Sequence, residues 1–214
     1  MEYTDLLLPI GMGLLFAAVH YFSTIMYTTA SAWAPHIRSA LSGVSVSYLF
    51  LQFYPQSILA GEAAGYDLAT IFLWIGIGLA VMLLLENFHQ KPLEIFRFTI
   101  IQLSIGIVLM VLFSFNTLQG WLFLAWTVLL SAITGISLGA LGATKVIRSI
   151  LAAATLVGIL AVVLLPIPVA WVLLLQAAMT GAFTAIVLRM IFTHFQPIFF
   201  LAGLLIAGAV ISVL

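Results

Sequence analysis

Apolar residues run along this chain in long blocks broken by short polar or proline-bearing intervals. A hydrocarbon layer about 30 Å thick is crossed by roughly 20 helical residues. Eight blocks near that length occur, at residues 6–28, 38–59, 68–86, 97–115, 119–141, 146–166, 168–191 and 197–213, and each reads as a transmembrane helix. The longest intervals, Thr29–Ile37, Ala60–Asp67 and Asn87–Phe96, leave no room for a soluble domain. The pattern predicts an all-α integral membrane protein in which residues 1–214 form a single transmembrane domain. Any activity would lie within the bilayer or at its surface.

Charge placement tests the count, because short cytoplasmic loops retain Lys and Arg. Arg38 falls in the first connection, Lys91 and Arg97 in the third, Lys145 and Arg148 in the fifth, and Arg189 at the seventh, so all six basic residues share one side. Glu2, Asp5, Glu62 and Asp67 lie opposite; Glu86 and Glu94 share the basic side. Eight spans with both termini extracytoplasmic satisfy this distribution, whereas seven or nine would scatter the basic residues. The first residues carry no positive n-region, so the first block is expected to be retained as a helix. The expected location is a plasma or inner membrane, or an energy-transducing membrane.

Composition narrows the function. The chain is 65% apolar and 6% charged, against roughly 45–50% and 25% in soluble domains. Six basic residues balance six acidic ones, which excludes a nucleic-acid partner. The absence of cysteine removes disulfides, thiolate metal sites, iron–sulfur clusters and thiol nucleophiles. No nucleophile with a base at reachable spacing, paired carboxylates or phosphate loop is evident, so a non-catalytic protein is expected.

Helices in lipid associate at small residues. Gly43 with Ser39 and Ser47, Gly135 and Gly139 with Ser131, and Gly181 with Ala177 and Ala185 mark spans two, five and seven as the expected tight interior. Pro55 interrupts an apolar run and predicts a kink. Ser42–Ser47 aligns with Thr180–Ala185, five spans apart and therefore in opposite orientation. This predicts an inverted repeat of spans one to three and six to eight, with spans four and five between them.

The stretch IRSALSGVSVSYLFLQFYPQ, residues 37–56, resembles the second span of the ZIP (Zrt/Irt-like) metal transporters, especially small bacterial ZIP-like proteins. In that family a Gly-Val-rich helix ends in His, two apolar residues, Pro and Glu. AAMTGAFTAIVLRMIF, residues 177–192, resembles the seventh span. The resemblance implies eight helices in a 3+2+3 bundle, both termini outside, and homodimers. This chain departs where the family holds metal: Gln52 and Gln56 flank Pro55, and Arg189 stands where an acidic residue would end the seventh span. Spans four and five, which carry His and acidic ligands in similar proteins, offer amides and hydroxyls such as Gln102, Ser131 and Thr134. These are weak ligands for divalent metals. A ZIP-like fold without the metal site is expected.

His20 lies deep in the first span. It reads as a neutral imidazole bonded to a neighbouring helix, with contact to a pigment or haem as the sharper alternative. Glu86 and His89 form one pair, short of a zinc set, and read as part of a solvated network. Two functions remain. The first is a structural or accessory subunit of a larger membrane complex, contacting lipid and other membrane subunits. The alternative is a transporter or channel for a small solute or ion along a polar path of Ser47, Gln52, Gln56, Gln102, Ser131 and Thr134.

Overall fold

A computed structural model describes residues 3–23, 34–87, 91–115, 117–140, 145–165 and 167–213. These residues form helices joined by short connections, with no strand among them. In order they are α1 (Tyr3–Ser23), α2 (Ala34–Tyr48), a π-helical turn (Leu49–Phe53), α3 (Tyr54–Ala63), α4 (Leu68–Asn87), α5 (Lys91–Phe115), α6 (Thr117–Ala140), α7 (Lys145–Leu164), α8 (Val169–His194) and α9 (Pro197–Val213). The π turn makes α2 and α3 one continuous rod. Among the described residues three stretches, Leu68–Leu85, Glu94–Ser114 and Val169–Phe192, are long and apolar enough to cross a membrane.

Two helices run furthest beyond the bounds that hydropathy alone predicts. α5 begins at Lys91 rather than 97: Pro92 suits a first helical turn, whose N–H groups have no partners, and Glu94 complements the helix dipole there. The α2–α3 rod spans 34–63 rather than 38–59 and stops near Gly65, whose φ of 85° turns the chain toward α4. At Pro55 the expected irregularity takes the form of the π turn immediately before it, where the Tyr54 N–H reaches the Leu49 carbonyl. A wider turn relieves the clash between a proline ring and the preceding carbonyls.

Within the chain the helices pack as two compact units, Met1–Thr29 with His89–Val172, and Ala30–Phe88 with Leu173–Leu214. The first contains α1, α5, α6 and α7, with α1 and α5 each against α6 and α7. Phe16, Ile105, Leu109, Phe123, Leu151 and Ile159 are buried in it. The second contains α2, α3, α4, α9 and α8 from Leu173, with Leu49, Phe53, Ile71 and Phe183 buried.

Three helix pairs approach backbone to backbone by one rule. A Cβ added at Gly43 would meet the Phe200 carbonyl, and one at Gly203 the Ala40 carbonyl. Gly78 and Gly181 stand in the same way against Ala178 and Ile75, and Gly106 and Gly158 against Thr155 and Leu103. Each glycine thus faces the carbonyl of the residue three before its partner glycine. The α2/α9 pair is parallel, since Ser39 bonds Gln196 and Ser47 bonds Leu204. α3 and α8 run antiparallel, with Tyr54 opposite Thr184 and Ser57 opposite Thr180.

The α4/α8 contacts repeat those of α2/α9. An offset of 138 residues carries Ala40 and Gly43 onto Ala178 and Gly181, and an offset of 125 carries Ile75, Gly78 and Leu79 onto Phe200, Gly203 and Leu204. The aligned segments Ser42–Ser47 and Thr180–Ala185 share the first offset. Of the small-residue spans expected to form the tight interior, two and seven make close backbone contacts within the second unit. Gly43 packs on α9 and Gly181 on α4, because each ridge requires a facing helix with its own glycine. The surroundings of Gly135 and Gly139 lie outside the described residues.

Gly78→Ala would drive a methyl into the Ala178 carbonyl, whereas a Cβ at Gly76 meets nothing within 4 Å. Gly78→Ala is expected to lose about 1–3 kcal/mol. Gly76→Ala is expected to gain about 0.5–1 kcal/mol from helix propensity. Thermal unfolding of both variants in detergent checks the contrast.

Candidate functional site

Each unit carries its own buried polar chain. In the first, the Thr155 hydroxyl on α7 donates to Gln102 Oε1 on α5 at 3.1 Å, and Gln102 Nε2 donates to Ser131 Oγ on α6 at 3.1 Å. All three side chains are buried. The glycine contact positions them: Gln102 is one turn before Gly106, and Thr155 is one turn before Gly158. Thr127, also buried on α6, returns its hydroxyl to the carbonyls of Phe123 and Leu124. The structure therefore brings together Gln102 and Ser131 from the expected polar path. It adds Thr155, which the sequence does not distinguish because a helical threonine ordinarily bonds its own preceding turn.

In the second unit a polar seam joins α3 to α8. The Thr184 hydroxyl donates to the Thr180 carbonyl, so the Tyr54 hydroxyl is the donor to Thr184 Oγ1 at 3.1 Å. The Ser57 and Thr180 hydroxyls lie 2.8 Å apart, one donating to the other while the acceptor of that pair donates to the carbonyl one turn back on its own helix, Phe53 for Ser57 or Gln176 for Thr180. Gln176, one turn before Thr180, is 2% exposed and its Nε2 has no partner among the described residues.

The remaining path residues divide. Ser47 spends its hydroxyl on the Leu204 carbonyl across the α2/α9 contact. Gln52 lies within the π turn and is half-buried. Gln56, one turn later on α3, is 9% exposed, and among the described residues neither its Oε1 nor its Nε2 finds a partner. A buried polar group left unpaired costs about 1–3 kcal/mol, so Gln56 stands apart from the satisfied hydroxyls around it. Thr134 belongs to α6 and His20 to α1, but their side chains lie outside the described residues, as do Glu86 and His89. No three His, Cys, Asp or Glu side chains converge among the described residues.

At the start of α2, His36 Nδ1 donates to Gln196 Oε1 while its ring stacks on Phe199 at 4.5 Å between centroids. The Gln196 N–H donates to Ser39 Oγ at 2.8 Å, and Ser39 returns a bond to the Gln196 carbonyl. This clamp ties the first turns of α2 and α9 together. Asp67 caps α4 by accepting the Thr70 N–H at 2.8 Å. Bonds from the Thr70 side chain and then its backbone hold the Asp67 carboxyl below its usual pKa.

The chain matches no family model, and no curated protein matches it significantly.

Two outcomes follow from these contacts. Gln102→Leu strips both Thr155 and Ser131 of a partner and should destabilise by about 1–3 kcal/mol. The double variant Gln102→Leu with Thr155→Val should be less destabilised than the two single effects added, a coupling read from a thermal double-mutant cycle. Because folding depresses the Asp67 pKa, its cap is fully present above the ordinary carboxylate pKa of about 3.9 and is lost as pH falls through the depressed value. Amide exchange at Thr70 should accelerate across that fall in the wild type and show no such step in Asp67→Asn.

Proposed function

We infer that this chain is an eight-span membrane carrier or channel of ZIP-like architecture, with both termini extracytoplasmic, which passes a small uncharged solute. The observation that carries this reading is the duplicated glycine contact. The pairs α2/α9 and α4/α8 use the same register at constant offsets, while α3 and α8 run antiparallel. That is the pattern of an inverted-topology repeat, an arrangement common to transporters, whose sites lie where helices of the repeat are broken. The π turn before Pro55 is the irregularity in the α2–α3 rod and holds Gln52. The amides and hydroxyls along the path suit neutral solutes better than divalent cations.

Composition alone favours an accessory subunit, and the repeat moves the balance toward transport. The accessory reading keeps one observation of its own. Only 22% of the apolar stretch of α4 is buried, leaving Phe72, Leu73, Ile77, Val81 and Leu84 exposed to lipid or to a partner subunit.

Proteoliposomes carrying the full chain, challenged with glycerol and urea gradients, should swell faster than empty vesicles, and Gln52→Leu should slow them. A preparation that shows no flux and leaves a mild detergent bound to other subunits, pigment or haem would replace transport by the accessory reading. Because the chain has no cysteine, single-cysteine variants report the topology cleanly. In intact cells Glu62→Cys should react with an impermeant maleimide, and Lys145→Cys should react only after permeabilisation.

A further inference from the structure

The duplicated helices lose their likeness at one place. Shifted by 138 residues, the π turn Leu49–Phe53 falls on Val187–Ile191, which continues α8 as regular α-helix. Gly43 and Gly78 are 35 residues apart, but Gly181 and Gly203 only 22. The first copy therefore holds an insertion, and that copy contains the π turn, Pro55 and α3. Proline contributes no N–H, so one carbonyl of the turn goes without its helical donor. Gln56 follows directly, nine-tenths buried, with both ends of its amide unpaired among the described residues. Among the described glutamines both ends of a buried amide go unpaired at Gln56, whereas at Gln176 only Nε2 does, and Ser57 beside Gln56 is satisfied.

We propose that the Gln56 carboxamide binds a small uncharged solute of the primary amide or urea class. Such a molecule presents a carbonyl acceptor and an N–H donor on one planar edge. Set against the Gln56 amide, it accepts from Nε2 and donates to Oε1, so both unpaired atoms are satisfied by one ligand. A cation would be served by Oε1 and repelled by Nε2, and an anion the reverse. Burial removes competing water and strengthens both bonds. Gln52, half-buried one turn earlier in the π turn, extends the polar stripe along the same rod. The assignment rests on the transport reading and names the solute class for it.

The test uses the full chain, acetamide as probe, and Gln56→Met, which keeps the length of the side chain and removes its polar end. Without acetamide the variant should melt about 2–4 °C higher than the wild type, because the unpaired amide is gone. Acetamide should raise the melting temperature of the wild type and leave the variant unmoved. Acetamide flux into proteoliposomes should fall about tenfold or more in the variant, as expected for the loss of one good polar contact. Gln56→Asn, which retains the amide one methylene shorter, should keep a weakened acetamide response. A variant that melts lower than the wild type would show that the amide is structurally paired and overturn the proposal. So would an equal acetamide shift in wild type and Gln56→Met. Wild-type protein that carries acetamide at a rate Gln56→Met preserves removes the site and keeps the transport reading. Wild-type protein stabilised through Gln56 but unable to carry acetamide keeps the site and removes transport.

Discussion

Helices in a hydrocarbon layer gain nothing from hiding apolar side chains from one another, so their association depends on how closely their backbones can come. In this chain that distance is set by paired glycines. Gly43 with Gly203, Gly78 with Gly181 and Gly106 with Gly158 each place the Cα of one helix against a carbonyl of the other. The geometry recurs in both units, and backbones this close allow Cα–H···O contacts, which contribute roughly 0.5–1 kcal/mol each where they form. A methyl group at any of the six positions would meet backbone, which cannot rotate away as a side chain can. The register of each pair is therefore fixed within a residue.

Fixed register decides which polar side chains can meet. With backbones this close, a serine hydroxyl reaches the main chain of the neighbouring helix, as Ser39 does at Gln196 and Ser47 at Leu204. Gln102 spans α6 and α7 at once because Gly106 and Gly158 bring α5 onto α7 one turn away. A looser contact would leave these groups stranded, and an unpaired buried hydroxyl or amide offsets much of what a packing contact supplies. Packing and polar satisfaction are thus one constraint.

That coupling explains what could be read from the sequence. Helix positions were legible because the length of an apolar run is itself the signal, and the errors fell at α2 and α5, where Pro35 and Pro92 extend helices into polar ground. The likeness of Gly43 to Gly181 was legible because the small residues around them share one spacing. Their partners Gly203 and Gly78 were hidden by the insertion, which changes the offset between copies. Gln102 and Ser131 stood out as polar residues in apolar helices, but Thr155 did not, since its partner lies on another helix. Whether an amide is paired depends on three-dimensional neighbours, so no pattern of residues distinguishes the unpaired Gln56 from the bonded Gln102.

A repeat folds most consistently when both copies obey the same rules, so a departure in one copy calls for a reason. Here three departures coincide on one rod: a π turn, a proline without a donor, and a buried amide without partners. Each is unfavourable alone, and none is required by the packing, since α8 makes the equivalent glycine contact as a regular helix. The carbonyl released by Pro55 and the free ends of Gln56 are what a bound polar molecule would use. If they were defects of packing, an apolar residue at Gln56 would be the simpler solution in a chain this rich in them. The amide at Gln56 is therefore better understood as a binding group, carried on a rod whose register the glycine contacts fix.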